Sequence, residues 1–219
     1  MTDRTITVKG IGRVTTAPDL IAMTFDISDT EPEYDQAMET ITLRAASLRA
    51  AITAAGLPAS ELKTVRLGVD TKFESYDSDI SYGERFVGYT CGHRMSLEFP
   101  LDMRTLSYVI AAISSTDANP EFGIRFTVKD PDAVAEKLLA EAMADATVKA
   151  QTLARAARLK LGPIQQIRHS WGELHLYSRS GARLSPAVMA IPSPPPAIDM
   201  EPEDIHAEDT VEVVWSIGT

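Results

Sequence analysis

One cysteine, Cys91, stands among 219 residues, which excludes an internal disulfide and a cysteine-based metal cluster and fits a reducing compartment. No run approaches the roughly 18 to 20 apolar residues a membrane-spanning helix needs, so no membrane span is expected. Met1-Thr2-Asp3-Arg4 leads straight into an alternating strand without an apolar signal-peptide core. The chain as written is therefore expected in the cytoplasm, with the periplasm as the alternative if a leader was omitted. Basic residues run out at Arg183; beyond it lie Asp199, Glu201, Glu203, Asp204, Glu208, Asp209 and Glu212, so most of the net charge of −10 belongs to the tail. Phosphate backbones and anionic membranes are repelled by such a tail, and no basic cluster in the body offsets it. Nucleic acid is not an expected partner. Aromatics make up only 6% of the chain, and the middle strands lack the stacked aromatic pair and basic rim that single-stranded RNA requires.

What the chain does have is an ordered change of hydrophobic period. Ile21, Met23, Phe25 and Ile27 alternate as a strand. Thr30, Pro32 and Glu33 read as a helix start, followed by the stripe Tyr34, Ala37, Met38, Ile41, Ala45, Leu48, Ile52 and Ala55 at spacings of three and four, closed by Gly56. Val65, Leu67, Val69, Thr71 and Phe73 form the next strand. Val87, Tyr89, Cys91, His93, Met95, Leu97 and Phe99 share one face of a longer one. Those thirteen residues extend roughly 43 Å, so part is expected to project beyond its sheet. Pro100 stops that strand, Asp102 caps a short helix, and Ile124, Phe126 and Val128 close the series. Strand, helix, strand, strand, helix, strand is the order of the ferredoxin-like plait. The fold class expected is α+β, two-layer, with a plait lobe over residues 20–130.

A second α/β lobe is expected from residues 1–19 and 131–219. It takes Ile6 and Val8 on a first strand, ended at Gly10-Ile11-Gly12 by a bulge or tight turn. Asp130-Pro131 opens a long helix to about Leu159, with the alanine-rich stripe Val134, Leu138, Ala142, Ala146, Ala150, Leu153 and Ala157. Small residues on that stripe let the helix lie close to its neighbours. A strand from Ile164 to about Trp171 follows, then a Pro- and acid-rich insertion at 178–209 read as a long loop, extended or disordered in part. Val211, Val213, Trp215 and Ile217 form a last strand that returns to a sheet.

Val8-Lys9-Gly10-Ile11-Gly12, Pro18-Asp19-Leu20-Ile21-Ala22, Gly88-Tyr89-Thr90, the run Ala142-Met143-Ala144-Asp145-Ala146 through Lys149-Ala150, and Leu161-Gly162 together resemble the SIMPL-domain proteins, a family of unknown function. The likeness covers roughly Thr5 to Ser170, with a weaker echo in the last strand. It implies a two-lobed α+β protein with a plait-like lobe, usually bacterial and exported, and linked in some members to oxidative-stress tolerance. It implies no catalytic residues, and the adaptor role of animal members implies binding. As written, the chain opens without the signal peptide that the resemblance implies, so either a cytoplasmic member or an omitted leader is expected, and it differs from the family in the approach to its last strand.

Candidate chemistry is sparse. Gly10-Ile11-Gly12 lacks the third glycine and the following helix of a dinucleotide site. His169, Trp171, His175 and Tyr177 share a face if their strand is unbroken, and they read as an interaction surface. The two histidines would lie about 20 Å apart, too far for one metal ion without a bend at Gly172. Cys91 and His93 point the same way, about 7 Å apart along the strand, which makes Cys91 a redox candidate set against its reading as a small core residue. Asp19 and Tyr89 read as structural, Asp19 following the turn that Pro18 sets. No catalytic residue, cofactor or metal site is assigned. The function expected is a non-enzymatic, self-associating or partner-binding SIMPL-like protein, a homo-oligomer with a protein partner as an option. The alternatives are a small-ligand sensor using a cleft between the lobes and a metal-dependent hydrolase using His169 and His175.

Overall fold

The computed structural model describes residues 4–78, 81–169, 174, 176–184 and 200–218. Its strands are β1 (Thr5–Thr16), β2 (Leu20–Glu31), β3 (Lys63–Ser78), β4 (Ser81–Pro100), β5 (Glu121–Thr127), β6 (Lys160–His169), β7 (Tyr177–Leu184) and β8 (Ile205–Gly218). Its helices are α1 (Tyr34–Ala54), α2 (Met103–Ser114) and α3 (Pro131–Ala156). The fold is mixed α and β with two antiparallel sheets, ordered β1-β8-β6 and β3-β4-β2-β5-β7. Among the described residues no helix is long and apolar enough to cross a membrane, a statement that does not bear on β-barrels. Contacts divide the chain into two compact units, one from Met1–Pro18, Thr127–Arg179 and Glu203–Thr219, the other from Asp19–Phe126 and Ser180–Pro202.

In the first unit α3 lies directly on β1. Asp130 caps the helix by accepting from the Ala133 N–H at 3.0 Å, and Pro131 occupies its first turn, as the sequence predicts. The alanine stripe meets Val8, Val211, Val213 and Trp215 in a core where Ala142, Ala146 and Ala150 are fully buried. Gly10-Ile11-Gly12 is not the predicted bulge or turn. β1 runs through it in unbroken register, Gly10 opposite Val211 and Gly12 opposite Asp209. A Cβ on Gly10 would sit 2.0 Å from the Ala142 carbonyl oxygen, and one on Gly12 2.0 Å from that of Leu138. The glycines therefore exist to admit the helix backbone. α3 also serves the edge of β1, since the Ile11 N–H donates to Asp145 Oδ2 at 2.8 Å while Lys149 Nζ bonds the same carboxylate at 2.6 Å.

The predicted loop at 178–209 is partly strand. Tyr177–Leu184 is β7, whose alternation is of small residues against arginines (Ser178 buried, Arg179 and Arg183 exposed), a contrast that hydropathy does not show. β8 begins at Ile205 because its acidic start pairs across the sheet: Arg13 bonds Glu208 at 2.9 Å and Thr15 meets His206 at 3.0 Å.

In the second unit α1 and α2 bury one face of the sheet. Ile21, Met23, Phe25 and Ile27 of β2 and Cys91, Met95, Leu97 and Phe99 of β4 meet Ile41, Leu48 and Ile52 of α1 and Leu106, Val109 and Ile110 of α2. Asp102 caps α2 as expected, accepting from the Arg104 and Thr105 N–H groups. The capping signature before α1 is not used. Glu33 occupies the cap without a side-chain bond, and the Thr30 hydroxyl instead meets that of Thr90 across the sheet at 2.8 Å. Thr30 lies within β2, three residues before the cap position, and so does not turn back on the helix.

Gly10→Ala is expected to destabilise the protein by about 3 kcal/mol or more, because the intruding methyl meets helix backbone; urea unfolding followed by circular dichroism reads it. Asp145 has its carboxyl pKa lowered, first by the Lys149 hydrogen bond and then by the Ile11 N–H. Its stabilisation is thus present above the ordinary carboxylate range, about pH 4, and is lost as pH falls through the lower folded value. Asp145→Asn should lower Tm at pH 7, with the difference from the parent protein vanishing in acid.

Candidate functional site

The second unit's sheet has a face opposite its helices, and there three adjacent strands align a row with almost no side chains. Gly68 of β3 stands opposite Gly92 of β4, and Gly92 stands opposite Ser28 of β2. Neither glycine has a positive φ, and neither is crowded: a Cβ on Gly92 would meet nothing within 4 Å, and one on Gly68 only the Arg66 Nε at 3.9 Å. Glycine weakens a strand, so its pairing here has no local structural cause. The result is an open recess of about 280 Å³.

The neighbouring row carries charge. Arg66 stands opposite Arg94, which stands opposite Asp26. Arg94 Nε donates to Asp26 Oδ1 at 2.6 Å, a bond that raises the guanidinium pKa further. Among the described residues no carboxylate pairs with Arg66. Like charges directly opposite one another on a sheet repel, so the row holds two guanidiniums against one carboxylate. On the far side of the recess stand Asp70 and Thr90. The sequence reading missed this site. Its signal was available in part: folding the two strands between Lys63 and Pro100 into a hairpin aligns the glycines and the arginines, once the bulge at Lys72/Phe73 is allowed for.

Of the residues singled out from sequence, His169 ends β6 and joins Asp209 through Nε2 at 2.7 Å, both groups about four-fifths buried. Tyr177 begins β7, in the other sheet, and is exposed. Trp171 and His175 lie outside the described residues. Among the described residues no group of three or more His, Cys, Asp or Glu side chains is placed to hold a metal. Cys91 is fully buried, its sulfur 3.6 Å from that of Met38, and burial pushes its thiol pKa up. His93 is buried too. Its Nε2 meets the Thr64 hydroxyl at 2.9 Å, and burial, then the charge of Arg49, lowers its pKa, so the imidazole is neutral near pH 7. A protonated thiol beside a neutral imidazole is not an ion-pair nucleophile.

The molecule is thus a two-unit α+β protein with its open chemistry on one sheet face. The chain belongs to the SIMPL family, described as a protein of unknown function (DUF541), whose model matches residues 6–215, nearly the whole length. No curated protein matches it.

Cys91 in the native protein is expected to react with an aromatic disulfide reagent at least about 100-fold more slowly than in urea, since reaction requires opening of the core. Rapid reaction under native conditions would contradict its placement.

Proposed function

We propose that the chain is a non-enzymatic binding protein that associates with a second copy of itself through the edge of β3. One observation carries this reading. β3 is the terminal strand of its sheet and 16 residues long, yet large apolar side chains on it stay in solvent: Val65 is 59% exposed, Leu67 49% and Phe73 53%. Edge strands that must stay single are usually short, charged or covered. Beside the edge, Phe73, Phe86, Tyr89 and Tyr34 form a chain of edge-on rings with centroids 5.7, 5.3 and 5.8 Å apart, adding aromatic surface of the kind interfaces use.

Charge supports a second copy as the occupant. In antiparallel pairing about a two-fold axis, with Gly68 opposite Gly68, each Arg66 falls opposite Asp70 of the other copy and Leu67 opposite Val69. Opposite charges then face each other twice, as a symmetric interface requires. The non-enzymatic part of the reading rests on how the reactive groups are engaged: Cys91 is buried and protonated, His93 is neutral and bonded to Thr64, and His169 is tied to Asp209. The same unit supports the ferredoxin-like plait, because β2-α1-β3-β4-α2-β5 follows its element order with both helices on one face. A stress-related role rests on the family likeness alone.

Light scattering coupled to size exclusion tests the assembly. The parent chain should run as a dimer or a higher even-numbered oligomer, and Arg66→Asp should shift it toward monomer by setting Asp against Asp70. The double change Arg66→Asp with Asp70→Arg should restore association. A monomer at all concentrations, or an oligomer indifferent to both changes, would end this reading.

A further inference from the structure

We infer that the glycine-floored recess of the second unit binds a small oxyanion-bearing molecule, its carboxylate or phosphate group held between Arg66 and Arg94. The inference does not rest on self-association: Arg66, Gly68 and Asp70 of the recess belong to the edge strand β3, but Gly92, Arg94 and Thr90 stand one strand in, on β4.

Two independent features lead there. The first is electrostatic. Arg66 and Arg94 are direct cross-strand neighbours, and the one carboxylate of their row, Asp26, is already engaged with Arg94 through Nε. Among the described residues that bond leaves the remaining N–H donors of Arg94 and the Arg66 fork without a hydrogen-bond partner, and guanidiniums place such donors in the plane that carboxylate and phosphate oxygens accept. The charges of the recess are segregated: both guanidiniums stand on one row with Asp26, while the second carboxylate, Asp70, stands on the far side of the glycines. The second feature is steric. Gly68 and Gly92 abut at the centre of the recess with room above both. Gly10, Gly12 and Gly88 answer to crowding: a Cβ on Gly88 would lie 2.3 Å from the Glu31 carbonyl oxygen. The pair at 68 and 92 answers to none.

The geometry also sets the shape of the ligand. Adjacent rows on one face of a sheet lie about 7 Å apart, two residues along each strand. An anionic group on the arginine row therefore places the body of the molecule over the glycines, and its far side reaches Asp70 and Thr90. Asp70 accepts hydrogen bonds only, so that side favours a hydroxyl or amine donor. The class is a small hydroxylated or amino-bearing carboxylate or phosphate, not a bare hydrophobe.

Titration calorimetry at fixed ionic strength, with citrate and inorganic phosphate as probes and chloride as control, tests the site on the full chain. Citrate, a hydroxylated carboxylate, should bind saturably at millimolar concentration or tighter, and chloride should not; the phosphate arm shows whether the site takes phosphate oxygens as well as carboxylate. Arg66→Gln should weaken binding at least about 10-fold, the scale of a lost charge-assisted fork. Gly92→Val should abolish it while leaving Tm unchanged or higher, because its side chain enters open space and suits a strand. Arg94→Gln is the second variant, on β4 and so outside the strand that pairs in the proposed assembly, and loss of binding with oligomer mass unchanged separates this site from the assembly. No saturable binding of either probe, or binding that survives Arg66→Gln or Gly92→Val, would overturn the inference.

Discussion

The closeness of α3 to β1 governs the first unit. A helix on a sheet normally stands off by the length of the side chains between them, and at Gly10 and Gly12 there are none. The alanines at 142 and 146 then reach the sheet itself, in a core formed with Val8, Val211, Val213 and Trp215 and flanked by Ile6, Leu139, Met143 and Leu161. Because the helix backbone fills the space above β1, every position on that strand is fixed in register. A slip of one residue would carry Val8 to the wrong face and bring a side chain under the Ala142 carbonyl. The polar contacts of Asp145 with the Ile11 N–H and of Lys149 with the Lys9 carbonyl depend on that approach and lock it further.

Much of this frame was legible in the sequence because it is written in period. The α1 stripe and the β2 alternation are long and apolar, and they fold as read except at Tyr34, which the stripe includes and the structure leaves half exposed. Asp102 and Asp130 cap helices because each stands immediately before a helical pattern, whereas Thr30, an equally good capping residue by type, lies within a strand and bonds Thr90 instead. What stayed hidden depends on pairing, not on period. β7 alternates small with charged residues, and the start of β8 is acidic, so each acquires its meaning only from the strand beside it. Long-range register is also why the recess was not seen: Gly68 and Arg66 are unremarkable until β4 sets Gly92 and Arg94 against them.

Glycine shows the same limit in one residue type. Gly56 ends α1 with φ at 90°, a conformation that the cap demands and the sequence anticipated. Gly10 and Gly12 answer to a helix more than 120 residues further along the chain, which no local motif can reveal. Gly68 and Gly92 answer to neither conformation nor crowding. Sorting glycines by what a Cβ would meet separates structural necessity from open space, and only the latter gives a reason to look for a ligand.

Edges make the complementary argument. β1 is an edge strand, and α3 lends it Asp145 and Lys149, so that an N–H otherwise open to another chain is already bonded. β6, at the other margin of that sheet, also leaves apolar residues, Ile164 and Ile167, in solvent, but it is shorter and carries Lys160 and Arg168, the latter bonded to Glu212. β3 is longer than either, and among the described residues no helix side chain is seen bonding its backbone. Its apolar residues stand in solvent, while its charges alternate in sign as Arg66, Asp70, Lys72 and Glu74. One chain thus treats its edges differently. Protection at β1 shows that the fold has the means to cover a strand, which makes the uncovered length of β3 a feature to be explained by what pairs with it.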